Sequence, residues 1–532
     1  MPFKTKLLIL LGSLSTLLTM ARSGLIESFG MGFWGPNGHD AVWHLAVINQ
    51  IKEGFPVQNP VYSGSFLTNY HIGYDFIVAS ISRLGLSPID LYFRILPFLI
   101  AILLGYLTYR YTKSNLSVFL IYFASSFGWL YTFLKDGQIA GESLFWAMQA
   151  SSTQLNPPYA LSLVFLLIAL LILDKKPILS GVFFAIATSI KVYAGLLSLA
   201  GLVLLLIVKR EKNILKTVII HSIISVIILY YYGAFSGNNI IQLNPLWFTR
   251  SLINAIDKFY FPQLATLHGN LLQNPFTYKF PVLVSIEIFA IILFIVGNFG
   301  VRILSLKSLI QKNKNNSDFV IKVIIIIGIL VPIFFTQKGT AWNTIQFMYY
   351  AIFFSCFYLA KNLPKSKILV VVLLAVGCIG SYGTIKDYLG FPPPTAITQD
   401  ELNALSFLKS QQGEIILTYP YDKFVKDTYK KTPIPIHAYE TTSYVSAFTS
   451  KKVFLEDTVN LTIIDKSYSS REDDIKKFFK ENDKFFNRGL LVNNKIDYIY
   501  LTSNQNLSSS LEDLQVDKVY EKQQIRIYKV RR

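Results

Sequence analysis

Cysteine and charged residues are both scarce in this chain of 532 residues. The two cysteines, Cys356 and Cys378, lie inside apolar runs, so the polar segments have no disulfide and no cysteine-based metal site. Asp, Glu, Lys and Arg make up 15% of the residues, against about 25% in an average soluble domain. Hydrophobic residues reach 52% and the mean hydropathy is +0.42. This composition excludes an ordinary soluble protein and predicts an integral membrane protein.

Apolar runs recur along the first 390 residues. A helix needs about 20 apolar residues to cross the hydrocarbon of a bilayer. Ten runs approach or reach this length, and an eleventh is weaker, at 178–190. The sequence therefore predicts an α-helical polytopic membrane protein with about eleven transmembrane helices. The ten stronger runs are 5–21, 89–109, 116–134, 158–174, 193–208, 215–232, 281–300, 320–336, 342–360 and 367–385.

The net charge of +18 comes from the short links between these runs. Six alternate links hold 18 Lys and Arg against 3 Asp and Glu, whereas the segment after residue 390 holds 21 against 19. Cytoplasmic loops of membrane proteins carry such an excess, so the basicity indicates topology rather than nucleic-acid binding. The six links are 1–6, 109–115, 174–177, 209–216, 302–322 and 361–367.

This charge pattern predicts a multi-pass protein of the plasma membrane and cell envelope. Its N-terminus is cytoplasmic, and the loop at 22–88 and everything after about residue 386 are extracytoplasmic. The first 24 residues also fit a cleaved signal peptide, which would leave that loop outside as well.

The composition changes abruptly at "GFPPPTAITQDELNAL", residues 390–405. We predict a transmembrane domain at 1–388 that includes the loop 22–88, followed by a small extracytoplasmic α/β domain at 389–532. "EIILTYP", "KVFLED", "IDYIYLTS" and "IRIYKV" are typical of strands, and "DELNALSFLKS" and "SSREDDIKKFFKEND" of helices. Thr398 is predicted to cap the first of these helices, and Ser469 with Glu472 to form a capping box on the second.

The loop at 22–88 is longer than a connection requires. "DAVWHLAVINQIKEGF" and "YHIGYDFIVASISRLG" carry rough helical stripes of apolar residues, which predict two amphipathic helices lying at the membrane surface. Residues 72–84 would alternatively form a short span, but that would break the charge alternation.

Polar residues gather in this loop, beginning with "GPNGHDAVWHL" at 35–45. Asp40 and His44 are four residues apart, which places them on one face of a helix. A carboxylate at this position would act as a general base or bind a cation, with His39, Tyr70 and His71 as substrate-binding candidates. Alternatively, Asp40 is only an N-cap after the turn at "PNG".

These residues and the layout of the chain resemble the GT-C glycosyltransferases, which use polyprenyl-phosphate-linked sugars as donors. "HDAVWHLAVINQI" is similar to the Asp-x-x-x-His stretch in the first loop of oligosaccharyltransferase-type and mannosyltransferase-type members. The resemblance implies that Asp40 is the catalytic base, or the carboxylate that engages the acceptor. His44, one turn later, is predicted to help orient Asp40 or the acceptor.

The second external loop contains Asp136 and Glu142, which are six residues apart rather than adjacent. Asp40, Asp136 and Glu142 are the candidate ligands for a divalent cation, Mg²⁺ or Mn²⁺, and no cofactor is certain. Glu142 is also a substrate-binding candidate.

Cationic and amide side chains mark two further places. Lys191 interrupts an apolar region, and the resemblance suggests contact with the lipid phosphate; snorkelling to the interface is the alternative. The segment "TQKGTAWNTIQFMYY" adds Lys338, Asn343 and Gln346 as substrate-binding candidates, although an aromatic belt at a helix start also accounts for it. Arg250 is a weaker phosphate candidate on what is predicted to be a solvated face. His437 and Glu440 are interpreted as strand and loop packing.

The sequence thus predicts an inverting membrane glycosyltransferase. Its partners are a polyprenyl-phosphate-linked sugar donor and membrane lipid, not nucleic acid. A transporter or flippase of lipid-linked glycans is the alternative, although no inverted repeat is evident. The sugar, the acceptor and the oligomeric state are not predicted.

Overall fold

The protein was analysed as a computed structural model that describes residues 1–140, 143–147, 155–235 and 241–531. Within these residues the chain is mostly helical. The helices are α1 Phe3–Met20, α2 Asp40–Glu53, α3 Gly73–Ser82, α4 Pro88–Asp90, α5 Leu96–Thr112, α6 Asn115–Phe123, α7 Gly128–Asp136, α8 Pro157–Ile172, α9 Pro177–Ile190, α10 Val192–Lys209, α11 Lys212–Tyr231, α12 Trp247–Asn254, α13 Pro262–Gln273, α14 Phe280–Phe299, α15 Asn316–Phe334, α16 Gln346–Asn362, α17 Lys367–Leu389, α18 Gln399–Ser410, α19 Ile436–Tyr439, α20 Tyr444–Thr449, α21 Thr458–Ile463, α22 Ser469–Lys480, α23 Lys484–Asn493 and α24 Leu511–Leu514.

Short 3₁₀ and π segments and eleven strands complete the described secondary structure. The 3₁₀ segments are Gly35–Gly38, Gly300–Ile310, Ala341–Ile345 and Val425–Thr428, and a π turn spans Leu91–Ile95. The strands are β1 Ile26–Glu27, β2 Gly30–Phe33, β3 Ile241–Leu243, β4 Phe335–Gln337, β5 Thr395–Ile397, β6 Ile415–Thr418, β7 Ile434–Pro435, β8 Lys452–Val453, β9 Tyr498–Leu501, β10 Val516–Lys522 and β11 Ile525–Val530.

A helix lies at each of the eleven apolar runs, and the chain is a polytopic membrane protein. Among the described residues, seven helices are long and apolar enough to cross a membrane, or eight if α6 and α7, which are bent by 46° relative to each other, form one broken span. Two shorter apolar helices, α8 and α9, match two further predicted runs. The count of eleven crossings stays a prediction.

The chain divides into two compact units. Unit 1 comprises Met1–Thr19, Leu96–Tyr231 and Phe235–Leu389. It holds most of the apolar helices and the antiparallel ribbon of β3 and β4, in which Ile241 pairs with Gln337. Small residues allow close packing: a Cβ added at Gly181 of α9 would lie 2.8 Å from the Thr217 carbonyl oxygen of α11. Glycine therefore lets these two helices approach each other.

Unit 2 comprises Met20–Ile95, Tyr232–Ala234 and Gly390–Arg532. It contains a five-stranded mixed sheet in the order β10-β11-β9-β6-β8 and a four-stranded sheet in the order β1-β2-β5-β7. The chain passes from unit 1 to unit 2 between Leu389 and Gly390. The loop 22–88, which was predicted as part of the transmembrane domain, lies in unit 2 with the C-terminal region.

Strand pairing and helix packing tie the first loop to the C-terminal region. Met31 of β2 pairs with Ile397 of β5, and Gly30 stands at φ 116°, where a Cβ would lie 2.1 Å from the Ile397 carbonyl oxygen. Helix α2 packs against α3 and α20. Ten of its fourteen residues are buried. Helix α2 is therefore a core helix of unit 2 rather than the half-buried surface helix that its pattern predicted.

The helices predicted in the C-terminal region are present, with one correction. Thr398 caps α18 as predicted, and Glu401 completes a capping box there. The predicted capping box at Ser469 and Glu472 is wrong. Ser469 is the first residue of α22, and the residue before it, Tyr468, makes no side-chain cap. The N-cap therefore lies one residue earlier than the pattern predicted, at Tyr468 rather than Ser469. The backbone torsion angles, and not the capping residues alone, define the residue at which a helix begins.

Candidate active site

Asp40 is the first residue of α2 and follows the 3₁₀ turn Gly35–Gly38. The side-chain amide of Asn37 donates a hydrogen bond of 2.9 Å from Nδ2 to Ser23 Oγ, and this bond holds the turn in place. The Asp40 side chain is 61% exposed. His39, not Asp40, occupies the N-cap position. The structure therefore does not support the alternative that Asp40 is only an N-cap, and it presents the carboxylate to solvent at the positive end of the helix dipole.

His39 lies between two carboxylates. Its Nδ1 is 3.0 Å from Asp40 Oδ1, and its Nε2 is 3.2 Å from Asp457 Oδ1. An ionised carboxylate only accepts hydrogen bonds, so hydrogen bonds to both carboxylates in their ionised form need a proton on each ring nitrogen. Burial by itself would lower the pKa of His39, but the negative charges and hydrogen bonds of Asp457 and Asp40 raise this pKa well above its ordinary value.

Asp457 has a fully buried side chain and is the N-cap residue of α21. Asn460 donates to it twice, from its backbone nitrogen to Oδ1 at 3.1 Å and from its side-chain amide to Oδ2 at 2.8 Å. The Asp457 backbone has φ 48°, in the left-handed region that non-glycine residues seldom adopt. Sequence reasoning missed this residue. Its spacing to Asn460 signals a helix cap and nothing about His39, which is 418 positions away.

His44 lies one turn after Asp40, and its ring nitrogens have their own partners. Nδ1 is 2.7 Å from Oδ1 of the fully buried Asp75, and Nε2 is 3.4 Å from the Tyr70 hydroxyl. Tyr70 in turn stacks on His71, with ring centroids 4.8 Å apart. The structure thus links three of the predicted residues, His44, Tyr70 and His71, in series. It also pairs His44 with Asp75, which was not predicted as a site residue.

A small pocket lies beside Asp457 in unit 2. It encloses about 100 Å³, and its wall includes Tyr421, Glu440, Thr441, Thr442, Asp457 and Thr458. Burial raises the pKa of the Glu440 carboxyl; the charge of His39 opposes this rise, and those of Asp40 and Asp457 add to it. The carboxyl of Glu440 therefore interacts electrostatically with His39. The sequence interpretation, by contrast, assigned Glu440 only to strand and loop packing. His437 pairs instead with Glu401, at 3.2 Å.

The predicted metal ligands are only partly described. Asp136 ends α7 in unit 1, Asp40 belongs to unit 2, and Glu142 lies outside the described residues. Among the residues that the structure does describe, no group of three or more His, Cys, Asp or Glu is arranged to hold a metal ion. The divalent cation stays a prediction, and the dependence of activity on added Mg²⁺ or Mn²⁺ would test it.

The structure assembles a second polar cluster in unit 1. Lys191 is the single extended residue between α9 and α10 and is only 6% exposed. Its Nζ donates to Gln346 Oε1 at 3.1 Å. Gln346 hydrogen-bonds Asn343, which donates to Gln337 Oε1 at 2.7 Å. Lys191 is therefore joined to Asn343 and Gln346, which were predicted as part of a separate cluster. Lys338, next to Gln337 in the chain, is exposed.

Arg250 does not lie on a simple solvated face. Its Nε is 2.6 Å from Glu287 Oε1, and the same oxygen is 3.2 Å from Nε2 of the buried His268. Asn254 contacts the other ring nitrogen of His268 at 3.2 Å. Sequence analysis did not single out this group, although Glu287, the one carboxylate in the apolar helix α14, was a signal that could have identified it.

Comparison with solved structures finds similar chains, one of which is described below. No protein-family model matches the chain, and no curated protein matches it. The chain is similar to an oligosaccharyltransferase. The matched crystal structure is that of the Archaeoglobus fulgidus enzyme tethered through a disulfide bond to an acceptor peptide containing the NVT sequon. The similarity covers 94% of this chain and 69% of that chain, with a TM-score of 0.49 and 10% sequence identity.

Proposed function

We propose that this protein is an integral membrane glycosyltransferase that transfers a sugar from a polyprenyl-phosphate-linked donor to an acceptor hydroxyl on the external side, with inversion. The observation that carries the proposal is the state of Asp40. Its carboxylate is 61% exposed, yet one oxygen is fixed 3.0 Å from a buried histidine ring. An accessible carboxylate with a fixed orientation is what a general base requires.

The reaction follows from this arrangement. Asp40 takes the proton of the acceptor hydroxyl as that oxygen forms a bond to the anomeric carbon of the sugar. The bond from the anomeric carbon to the phosphate oxygen breaks, and polyprenyl phosphate leaves from the opposite face with the electron pair. Because the leaving phosphate is a stable anion, the enzyme needs cationic contacts to it rather than a strong acid.

Lys191 is the proposed contact to the donor phosphate, with Lys338 as a second cation. Lys191 is held by Gln346, itself tied to Asn343, so its ammonium group has a fixed position in an apolar region. A buried lysine is costly unless it serves a partner. His39, Tyr70, His71 and Glu142 stay predicted substrate contacts, and His44 stays a predicted supporting residue.

Asp40→Asn tests the proposal. Asparagine keeps the size of the side chain, and its oxygen still accepts a hydrogen bond from His39, so the protein should fold normally. Transfer should fall by roughly 100-fold or more, the usual scale for a lost general base. The matched control is Asp90→Asn, because Asp90 is also a half-exposed first-turn aspartate of unit 2, paired with Arg94 at 2.6 Å. The control should keep full activity.

The donors in the assay are synthetic short-chain polyprenyl phosphates that each carry one hexose or N-acetylhexosamine, and the acceptor is a mixture of peptides and glycans. The assay measures the polyprenyl phosphate released and the sugar transferred to the acceptor mixture. If Asp40→Asn retains nearly full transfer, Asp40 is not the base, and Asp136 and Glu142 become the carboxylates to examine. If labelled donor moves across vesicles without any sugar transfer, the flippase alternative is correct instead.

A further inference from the structure

A loop rich in lysine and aromatic residues lies at the edge of the pocket in unit 2. This rim segment, "YDKFVKDTYKK" at 421–431, lies between β6 and α19. Its first residue, Tyr421, lines the pocket, and so does Glu440, the residue that follows α19. Because the connection from β6 through α19 reaches the pocket at both ends, the lysines between those ends lie beside it.

The middle of the rim segment packs against α19. Its 3₁₀ turn, Val425–Thr428, contacts that helix, and the ammonium group of Lys426 lies 4.2 Å from the centre of the Tyr439 ring. A cation is attracted to the face of an aromatic ring, so this contact helps to hold the segment at the pocket.

The pocket connects the rim segment with the candidate base. Asp457 belongs to the same pocket wall as Tyr421. Its Oδ1 is 3.2 Å from His39 Nε2, and His39 Nδ1 is 3.0 Å from Asp40 Oδ1. A chain molecule held by the lysines would therefore need only a few sugar units to reach the Asp40 carboxylate.

The lysines of the rim segment are open to an external anion. Lys423, Lys430 and Lys431 are exposed, and no carboxylate among the described residues lies within 4.0 Å of their ammonium groups. Other lysines of the C-terminal region are paired, as Lys476 is with Glu472 at 3.1 Å. Four lysines against two aspartates also give the segment a net positive charge, which attracts anions.

Aromatic residues alternate with these lysines. Phe424 is 67% exposed, and the ammonium group of Lys423 lies 5.1 Å from the centre of its ring. The C–H face of a sugar ring is apolar and loses contact with water when it packs on an aromatic ring. The segment thus offers cations and an apolar surface side by side, which fits a glycan with negative charges.

We propose that the rim segment binds a polyanionic glycan acceptor, whose carboxylate or phosphate groups pair with the lysines while its terminal hydroxyl reaches Asp40. This inference rests on the proposed function, because it names the acceptor class for the same site. Glu440 and Asp457 line the pocket and repel anions, so the end of the acceptor that enters is uncharged. The competing explanation is a solvated charged loop that binds nothing.

Two triple variants with the same change in net charge separate these explanations. The rim variant replaces three exposed lysines of the segment: Lys423→Gln, Lys430→Gln and Lys431→Gln. The control variant replaces three exposed lysines elsewhere in the C-terminal region: Lys409→Gln, Lys480→Gln and Lys484→Gln. Exposed side chains contribute little to folding, so both variants should keep the unfolding midpoint of the wild type.

The first measurement is binding, and it needs no donor. The full-length protein in a neutral detergent is titrated into fluorescently labelled glycans of equal length, and the anisotropy is recorded. The probes are oligogalacturonate, which carries carboxylates, a phosphodiester-linked glycan, and a neutral malto-oligosaccharide. We expect an anionic probe to bind at least about 10-fold more tightly than the neutral one and to weaken with added salt, which screens exposed charges. The anionic probe that binds more tightly identifies carboxylate or phosphate as the group recognised.

The rim variant should bind the anionic probe roughly 10-fold more weakly, at about twofold for each exposed ion pair lost. The control variant should bind like the wild type. Equal affinity for the neutral and anionic probes, or unchanged binding by the rim variant, would overturn the inference.

Two further probes test whether the ligand is a glycan. Phe424→Ala should weaken binding of the anionic glycan but not of linear polyphosphate, which has no sugar rings. Equal effects on both would show recognition of charge alone and contradict the proposal. An anionic lipid is the other polyanion that lysines fit. If short-chain phosphatidylglycerol displaces the glycan at an equal concentration of anionic groups, the lysines serve the membrane surface and the inference is wrong.

The second measurement is transfer with the polyprenyl-phosphate donors. In the rim variant, KM for the anionic acceptor should rise by roughly 10-fold while kcat is unchanged, because the lysines bind the acceptor without contacting the reacting atoms. Asp40→Asn should show the opposite behaviour, with transfer lost and probe binding kept. Full transfer by Asp40→Asn would reject Asp40 as the base, whereas the binding titrations decide separately whether the rim segment recognises an anionic glycan.

Discussion

Replacement of Lys191 by methionine gives the most direct test of the unit 1 cluster. Methionine has nearly the same length and volume, so the variant removes the charge and keeps the packing between α9 and α10. Lys191 is 6% exposed and donates to Gln346 Oε1 at 3.1 Å. If its charge also contacts the donor phosphate, a buried charge-assisted interaction is lost, on the order of 2 to 4 kcal/mol.

That free energy corresponds to roughly 30-fold to 1,000-fold weaker use of the donor, at about 1.4 kcal/mol per factor of ten. The assay varies the donor at saturating acceptor and then varies the acceptor at saturating donor. We expect KM for the donor to rise by this factor, and KM for the acceptor to change little. The control is Lys209→Met at the exposed end of α10, where the side chain is 48% exposed.

Thermal unfolding in detergent provides the structural check. A buried ammonium group is costly to desolvate, so Lys191→Met should leave the unfolding midpoint unchanged or raise it. Equal losses for donor and acceptor, or loss of folded protein, would show that Lys191 is a structural lysine and would refute the phosphate contact.

Three further predictions concern topology and stability. Cysteines introduced within 302–322 should be protected from impermeant reagents on intact cells, and those introduced after about residue 400 should react; the reverse pattern would reject the charge-based topology. Because the pKa of His39 is raised above its ordinary value of 6.5, its stabilising contribution is complete below about pH 6.5 and is lost as the pH rises through the raised pKa. The difference in unfolding midpoint between wild type and His39→Gln should therefore shrink with increasing pH, and a difference that grows would contradict the assignment. Glu287→Gln should lower the free energy of unfolding by about 2 kcal/mol, because the hydrogen bonds to Arg250 and His268 lose their charged acceptor, and an unchanged midpoint would count against this network.

Local sequence patterns were sufficient to predict most of the helices. A helix lies at each of the eleven apolar runs, because a long stretch of apolar residues satisfies its own backbone hydrogen bonds only as a helix. The helix starting at Asp40 and the cap at Thr398 were also predicted, since both depend on residues within one turn of the helix end. The predicted box at Ser469 was wrong, because a capping pattern does not fix the residue at which the backbone becomes helical.

The candidate site was predictable only in part. The sequence singled out Asp40, His39 and His44 in one short segment, because chemistry-bearing residues are rare in an apolar chain. It assigned His44 to support Asp40, whereas the ring nitrogens of His44 contact Asp75 and Tyr70. Spacing along a helix defines which side chains share a face, but the partner of a buried ring is chosen by the elements that pack against that face.

Composition and contacts within a few residues of each other were enough to predict a membrane protein of many helices, the places where its polar segments begin, and the short segment that holds the candidate base. The burial of most of α2, the hydrogen bond between Lys191 and Gln346, and the contact of Asp457 with His39 became visible in the folded chain. Lys191 and Gln346 are separated by 155 positions in the chain, and His39 and Asp457 by 418. The burial of α2 likewise depends on elements that are distant in the chain. Contacts between residues so far apart leave no periodic pattern in a single sequence.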